Sequence, residues 1–112
     1  MGERRQRRAL KPHWFQILLS LADQDLHGLQ IMEEVRERTQ GDVHLWPGML
    51  YGALKQMSEE GLIEETDPPD DAEAGGGRPR YYRITEKGRG ALSVEVARLS
   101  GYVAAALAKN VT

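Results

Sequence analysis

Residues 45–63, Leu45-Trp46-Pro47-Gly48-Met49-Leu50-Tyr51-Gly52-Ala53-Leu54-Lys55-Gln56-Met57-Ser58-Glu59-Glu60-Gly61-Leu62-Ile63, limit the fold more than any other stretch, because both ends of one helix are marked in them. Pro47 suits the first helical position, where its missing N–H has no partner to lose, and Gly61 suits the left-handed position just past the end. About four turns lie between them. Leu50, Leu54 and Met57 recur at i, i+4 and i+7 and make one buried stripe. The rest is unusually bare: Gly48, Met49 and Gly52 fall off that stripe, followed by Lys55, Gln56 and Glu59, with Tyr51 among them. A helix turned outward only for solubility carries Glu and Lys throughout, whereas two glycines in the first two turns let something large approach closely.

The rest of the chain arranges itself around that helix. Lys11-Pro12 opens a first helix running to about Asp23, and Trp14, Phe15, Ile17, Leu18, Leu19, Leu21 and Ala22 make it apolar nearly all round. In one domain of 112 residues, such a helix is expected to have one face in the core and the other against a second subunit. Residues 23–28 read as a turn, and a second helix follows from Gly28 to about Thr39 with Ile31, Met32 and Val35 inward. Gln40-Gly41-Asp42 breaks it, and Val43-His44-Leu45 is expected as a short strand or extended link. Leu62 to Thr66 reads as a strand. The polar excursion from Asp67 to Pro79 cannot bury a core and is expected as a loop. Arg80-Tyr81-Tyr82-Arg83-Ile84 alternates as the return strand. Thr85 then caps a last helix reaching about Lys109. In that helix Leu92, Val96, Leu99, Val103 and Ala106 are spaced as the a/d positions of a coiled-coil seam, which predicts a dimer interface helped by the first helix. The order of elements is that of a winged helix-turn-helix, mainly α with a small β-hairpin plus a C-terminal dimerisation helix. The expected division is a basic flexible arm over 1–11, the winged helix over 12–84 and the dimerisation helix over 85–112.

The net charge of −2 argues against nucleic acid until its distribution is considered. Residues 1–11 carry a net +4, residues 56–77 carry −8 with no basic residue, and residues 78–89 return to +4. Two basic patches flanking a neutral helix face are the footprint of a phosphate backbone. Pro47 and Gly48 would bring the free N–H groups of the third helix close to that backbone. Met49 and Gly52 lie on the same face, and Tyr51 either reaches a phosphate or base edge or closes the core with its ring. Lys55 and Gln56 can reach phosphates or base edges, the glutamine pairing bidentately with adenine. His27 and Gly28 start the second helix, with a simple capping role open for His27. Arg78 and Arg80 flank Pro79 at the root of the wing, whereas Arg83 is expected on the strand face. Trp14 and Phe15 suggest a slot for a flat aromatic effector between subunits, ordinary packing being the other reading.

Other classes find less support. With no cysteine there is no disulfide framework, Cys-ligated zinc or thiol nucleophile. His13, His27 and His44 sit in separate segments with neither metal-ligand spacing nor a phosphate loop, so no enzyme, metal or cofactor is expected. The longest mostly apolar run, Trp14 to Ala22, is too short to span a bilayer, and no export signal follows the basic N-terminus. A cytoplasmic protein without a membrane partner is therefore expected. The competing function is a winged helix used only for protein contact, since the acidic residues before Arg78 are opposite to what phosphate wants.

Four segments, Leu26-His27-Gly28-Leu29-Gln30-Ile31, Pro47-Gly48-Met49-Leu50-Tyr51-Gly52-Ala53-Leu54, Glu59-Glu60-Gly61-Leu62-Ile63 and Arg78-Pro79-Arg80-Tyr81-Tyr82-Arg83-Ile84-Thr85-Glu86-Lys87-Gly88, closely resemble the PadR-like transcriptional regulators, in the family's order. The likeness runs from about Pro12 to Ala91. It implies a dimeric repressor that binds double-stranded DNA, is relieved by small phenolic, aromatic or drug-like molecules, and carries a helical C-terminal dimerisation segment. The family usually has Thr where this chain has Met49 and often Pro where it has Gly52. Both departures fall on the expected DNA face and bear on the operator sequence, not on the fold.

Overall fold

Pro12 at the first helical position opens α1 (Pro12–Leu21), and the buried set Trp14, Ile17, Leu18, Ser20 and Leu21 takes up nearly half of its circumference. The computed structural model describes residues 9–69 and 79–111. Within these the order continues with β1 (Leu26–His27), α2 (Gly28–Arg38), α3 (Pro47–Glu59), β2 (Ile63–Thr66), β3 (Tyr81–Ile84) and α4 (Glu86–Ala108). α2, α4 and β3 of the same chain pack on α1, while Phe15, Leu19 and Ala22 are half-buried against the core. Ser20 is fully buried but satisfied, because Arg38 at the end of α2 donates to its hydroxyl and to the Gln16 carbonyl, both at 3.0 Å.

The sheet has three strands in the order β1-β3-β2, all antiparallel. Its third strand is Leu26–His27, paired with Tyr82 and Tyr81, and Val43-His44-Leu45 is the link into α3 and no strand. Val43 is instead tied back to α2, its N–H donating to the Thr39 hydroxyl at 3.1 Å. Asp25 pairs with Arg83 at 3.0 Å and pins β1 beside β3. On the other side Ile63 faces Ile84 and Glu65 faces Tyr82.

Helix ends follow the backbone chemistry. His27 and Gln30 form a reciprocal capping box at the start of α2. Gly61, with φ of 79°, ends α3. There the Leu62 N–H returns to the Met57 carbonyl at 2.9 Å and the Gly61 N–H to Ser58 at 3.1 Å, the paired bonds of a Schellman turn. Thr85 caps α4 by accepting the Gly88 N–H at 3.0 Å, and its own hydroxyl donates to the Gly61 carbonyl at 2.6 Å. At Gly88 the first turn of α4 presses so close to the end of α3 that a Cβ there would overlap the Leu62 carbonyl oxygen.

The early turns of α4 belong to the winged-helix core, so packing does not divide at residue 85. Leu92, expected on the dimer seam, lies 7% exposed in its own protomer's core, and Glu95 is buried, accepting from the Leu10 N–H at 3.4 Å and from Arg98 at 2.8 Å. Beyond Glu95 no described residue of α4 is buried. Val96, Leu99 and Val103 are exposed, Ala106 is half-buried, and the open apolar stripe continues to Leu107, which the strict a/d spacing omits. Among the described residues α4 is also the one helix long and apolar enough to cross a membrane. Glu95 and Arg98 interrupt that apolar run in the sequence, yet they bond to each other and anchor α4 to the N-terminal segment.

Candidate nucleic-acid interface

The buried stripe of α3 is Leu50, Ala53, Leu54 and Met57, and the opposite face is open as expected. Nothing approaches the position of a side chain at Gly48 or Gly52, while Met49, Tyr51, Lys55, Gln56 and Pro47 are exposed. Tyr51 does not close the core. Its ring leans over the start of α2, where a Cβ on Gly28 would overlap the phenol. Only glycine at 28 therefore lets Tyr51 lie here.

His27 does what capping requires: its Nδ1 accepts the Gln30 N–H at 3.3 Å, and its ring stands edge-on to Tyr81 with centroids 5.2 Å apart. His27, Gly28, Leu29, Tyr51, Pro79, Arg80 and Tyr82 line one groove, so the start of α2, the first turns of α3 and the root of the wing meet there. Burial, reinforced by Glu65, pushes the Tyr82 phenol above its ordinary range, so it remains a neutral hydroxyl. Arg80 lies 3.8 Å from Glu65, both well exposed, a pairing worth under about 1 kcal/mol that a phosphate can displace.

The basic block 78–89 contributes less to this face than its charge suggests. Arg83 is paired with Asp25, Lys87 donates to the Glu60 carbonyl at 2.8 Å, and Arg89 donates to the Ala22 carbonyl at 2.8 Å. Those three cations hold the fold together, the last two by satisfying carbonyls at helix ends. Arg78 and the arginines of the 1–8 arm lie outside the described residues, as do residues 70–78 of the wing. Trp14 is in the core with its indole N–H buried and unpartnered, and Phe15 is half-buried against the same cluster.

Two exposed apolar residues at the same end were missed. Trp46, the N-cap of α3, is 61% exposed and stacks on His44, and Leu29 is 64% exposed. The readable signal was a tryptophan just before Pro47, where Ser, Thr, Asp or Asn usually caps a helix.

A helix pair whose second member offers an open N-terminal face, with a wing root meeting it in one groove, defines a winged helix-turn-helix protein. Residues 17–94 match the Transcriptional regulator PadR-like family, and the chain belongs to that family. An uncharacterised protein from Lysinibacillus sphaericus is 30% identical over 79 residues, covering 69% of this chain and 68% of its own. A PadR family transcription regulator from hypervirulent Clostridium difficile, 26% identical, matches 88% of this chain and 97% of its own with a TM-score of 0.70. Bacillus subtilis PadR, solved in complex with operator DNA, shares the fold at 20% identity and a TM-score of 0.64, over 74% of this chain and 45% of its own.

Proposed function

We propose that this protein is a homodimeric regulator that binds double-stranded DNA at a specific operator and represses transcription until a small aromatic effector releases it. The observation that carries the reading is the single groove in which the start of α2, Tyr51 of α3 and Arg80 of the wing root converge, beside an α3 face kept open by Gly48 and Gly52. The α3 face suits a major groove and Arg80 suits the adjoining backbone. A relative solved with operator DNA supports the same use of the fold.

The test is a salt titration of duplex binding. A protein neutralising Z phosphates weakens with a log–log slope near −0.9Z, whereas a winged helix used for protein contact alone has no duplex affinity. Lys55→Ala and Arg80→Ala should each weaken binding to all sequences and lower the slope by about one. Gly28→Ala, which displaces Tyr51 from the groove, should weaken specific binding while the fold stays intact. Changes at Met49 or Gln56 should alter which sequence is preferred. Equal effects of all these variants on specific and random DNA would remove the assignment of this face.

Release by an aromatic effector is the finer part of the reading. The unsatisfied indole N–H of Trp14 supports it as a buried donor awaiting an acceptor. Quenching of tryptophan emission by planar aromatic compounds should track release of DNA, and a Trp14→Ala protein that folds and responds unchanged would rule that residue out.

A further inference from the structure

Trp46 does neither of the things its position asks for. An N-cap of Ser, Thr, Asp or Asn accepts an N–H of the first helical turn, but Trp46 makes no such bond, and at 61% exposure it contributes little to the core. Its indole is nevertheless held in place. It stacks on His44 with ring centroids 4.3 Å apart and planes at 27°, and Pro47 restricts its backbone to the extended region, where φ is −72° and ψ 149°. A rigid aromatic surface is thus kept in water at the leading end of α3. Met49, 41% exposed, follows in the first turn, and His44 lines one groove with Leu29 and Leu45.

We infer that Trp46 is a specificity-determining residue whose indole, braced by His44, reads thymine methyl groups in the major groove; this rests on the DNA-binding reading above. Along the edges of bases in that groove the distinctive apolar landmark is the C5-methyl of thymine, the remaining marks being hydrogen-bond donors and acceptors. The leading end of α3 offers base edges only donors, the indole N–H of Trp46 and the uncapped backbone N–H groups of the first turn, since Gly48 and Met49 bring no polar side-chain atoms. It has apolar surface, and the open space at Gly48 and Gly52 lets that surface come close. His44 is a positioning residue, because the stack limits the rotamers the indole would otherwise lose on binding.

The experiment uses the full chain and a duplex recovered by selection from random DNA, resynthesised with deoxyuridine replacing thymine at one position at a time. Deoxyuridine lacks only the methyl group. One or two positions in each half-site should show about fourfold weaker binding, the ratio that follows from the ~0.8 kcal/mol of one buried methyl. For Trp46→Ala the thymine and deoxyuridine duplexes should bind alike at those positions, with an unchanged thermal melt. For His44→Ala the ratio should fall without vanishing. Equal affinity of the natural protein for all the deoxyuridine duplexes, or an undiminished ratio in Trp46→Ala, overturns the inference alone. Failure to recover any duplex removes the DNA-binding reading and this inference with it.

Discussion

Leu99→Lys should scatter light as a monomer and lose specific DNA binding, with its helical circular dichroism nearly unchanged. Leu99 lies in the stripe Val96, Leu99, Val103 and Leu107, which follows the buried part of α4 and is uncovered in a single protomer. Spacings of 3, 4 and 4 keep that stripe on one helix face. A lysine there puts an unpaired charge into the contact that a second copy would make, and an uncompensated buried charge destabilises by about 3–5 kcal/mol. The fold should survive, because Leu99 is outside the core cluster. Binding should not, because two α3 helices held about one DNA turn apart, roughly 34 Å, grip a two-part site that one copy holds weakly. Val94 is 52% exposed on the opposite side of the helix, so Val94→Lys is the matched control and should remain dimeric. A dimeric Leu99→Lys protein that still binds its operator would place the joint elsewhere.

Gly88→Ala should lower stability by about 3 kcal/mol or more, at or beyond the upper end for an overpacked site, and the melting temperature by more than about 10 °C. The added methyl would overlap the Leu62 carbonyl oxygen, which already accepts the Thr85 N–H at 3.1 Å. Neither partner can turn aside: both are backbone, fixed by the Schellman turn on one side and by the Thr85 cap on the other. Gly90, two residues on in the same helix, has open space where a side chain would go. Gly90→Ala should therefore raise stability by about 0.5–1 kcal/mol, the helix preference of alanine over glycine. Comparable melts for the two variants would show that the α3–α4 junction yields more easily than its geometry implies.

What could be read from the sequence was what local chemistry determines. Pro47 and Gly61 mark the ends of α3 whatever surrounds them, and Thr85 and Gln40-Gly41-Asp42 act in the same local way. Leu50, Leu54 and Met57 declare a buried face by spacing alone. Long-range partners were not legible. The basic residues Arg83, Lys87 and Arg89 look like one patch in the chain, yet they bond to Asp25, Glu60 and Ala22, which are 58, 27 and 67 residues away. β1 is two residues long, too short for alternation to register. Leu92 obeys the same period as Val96 and Leu99, but spacing says which residues share a face and not which wall covers them; here α1 of the same chain covers the first part of α4. At the proposed DNA face the glycines and Tyr51 were readable by their type, whereas Trp46 looked like part of the link before α3.

The internal engagement of Arg83, Lys87 and Arg89 bears on how such a regulator finds its target in a cell. Random duplex attracts proteins through uncommitted cations, and a genome offers on the order of a million or more decoy sites. Arg83, Lys87 and Arg89, engaged in the protein's own fold, add little to the pull of those decoys on the chain. Under the proposed function, each cation tied up in this way leaves fewer copies sequestered away from the operator and shifts the burden of binding toward readout by α3.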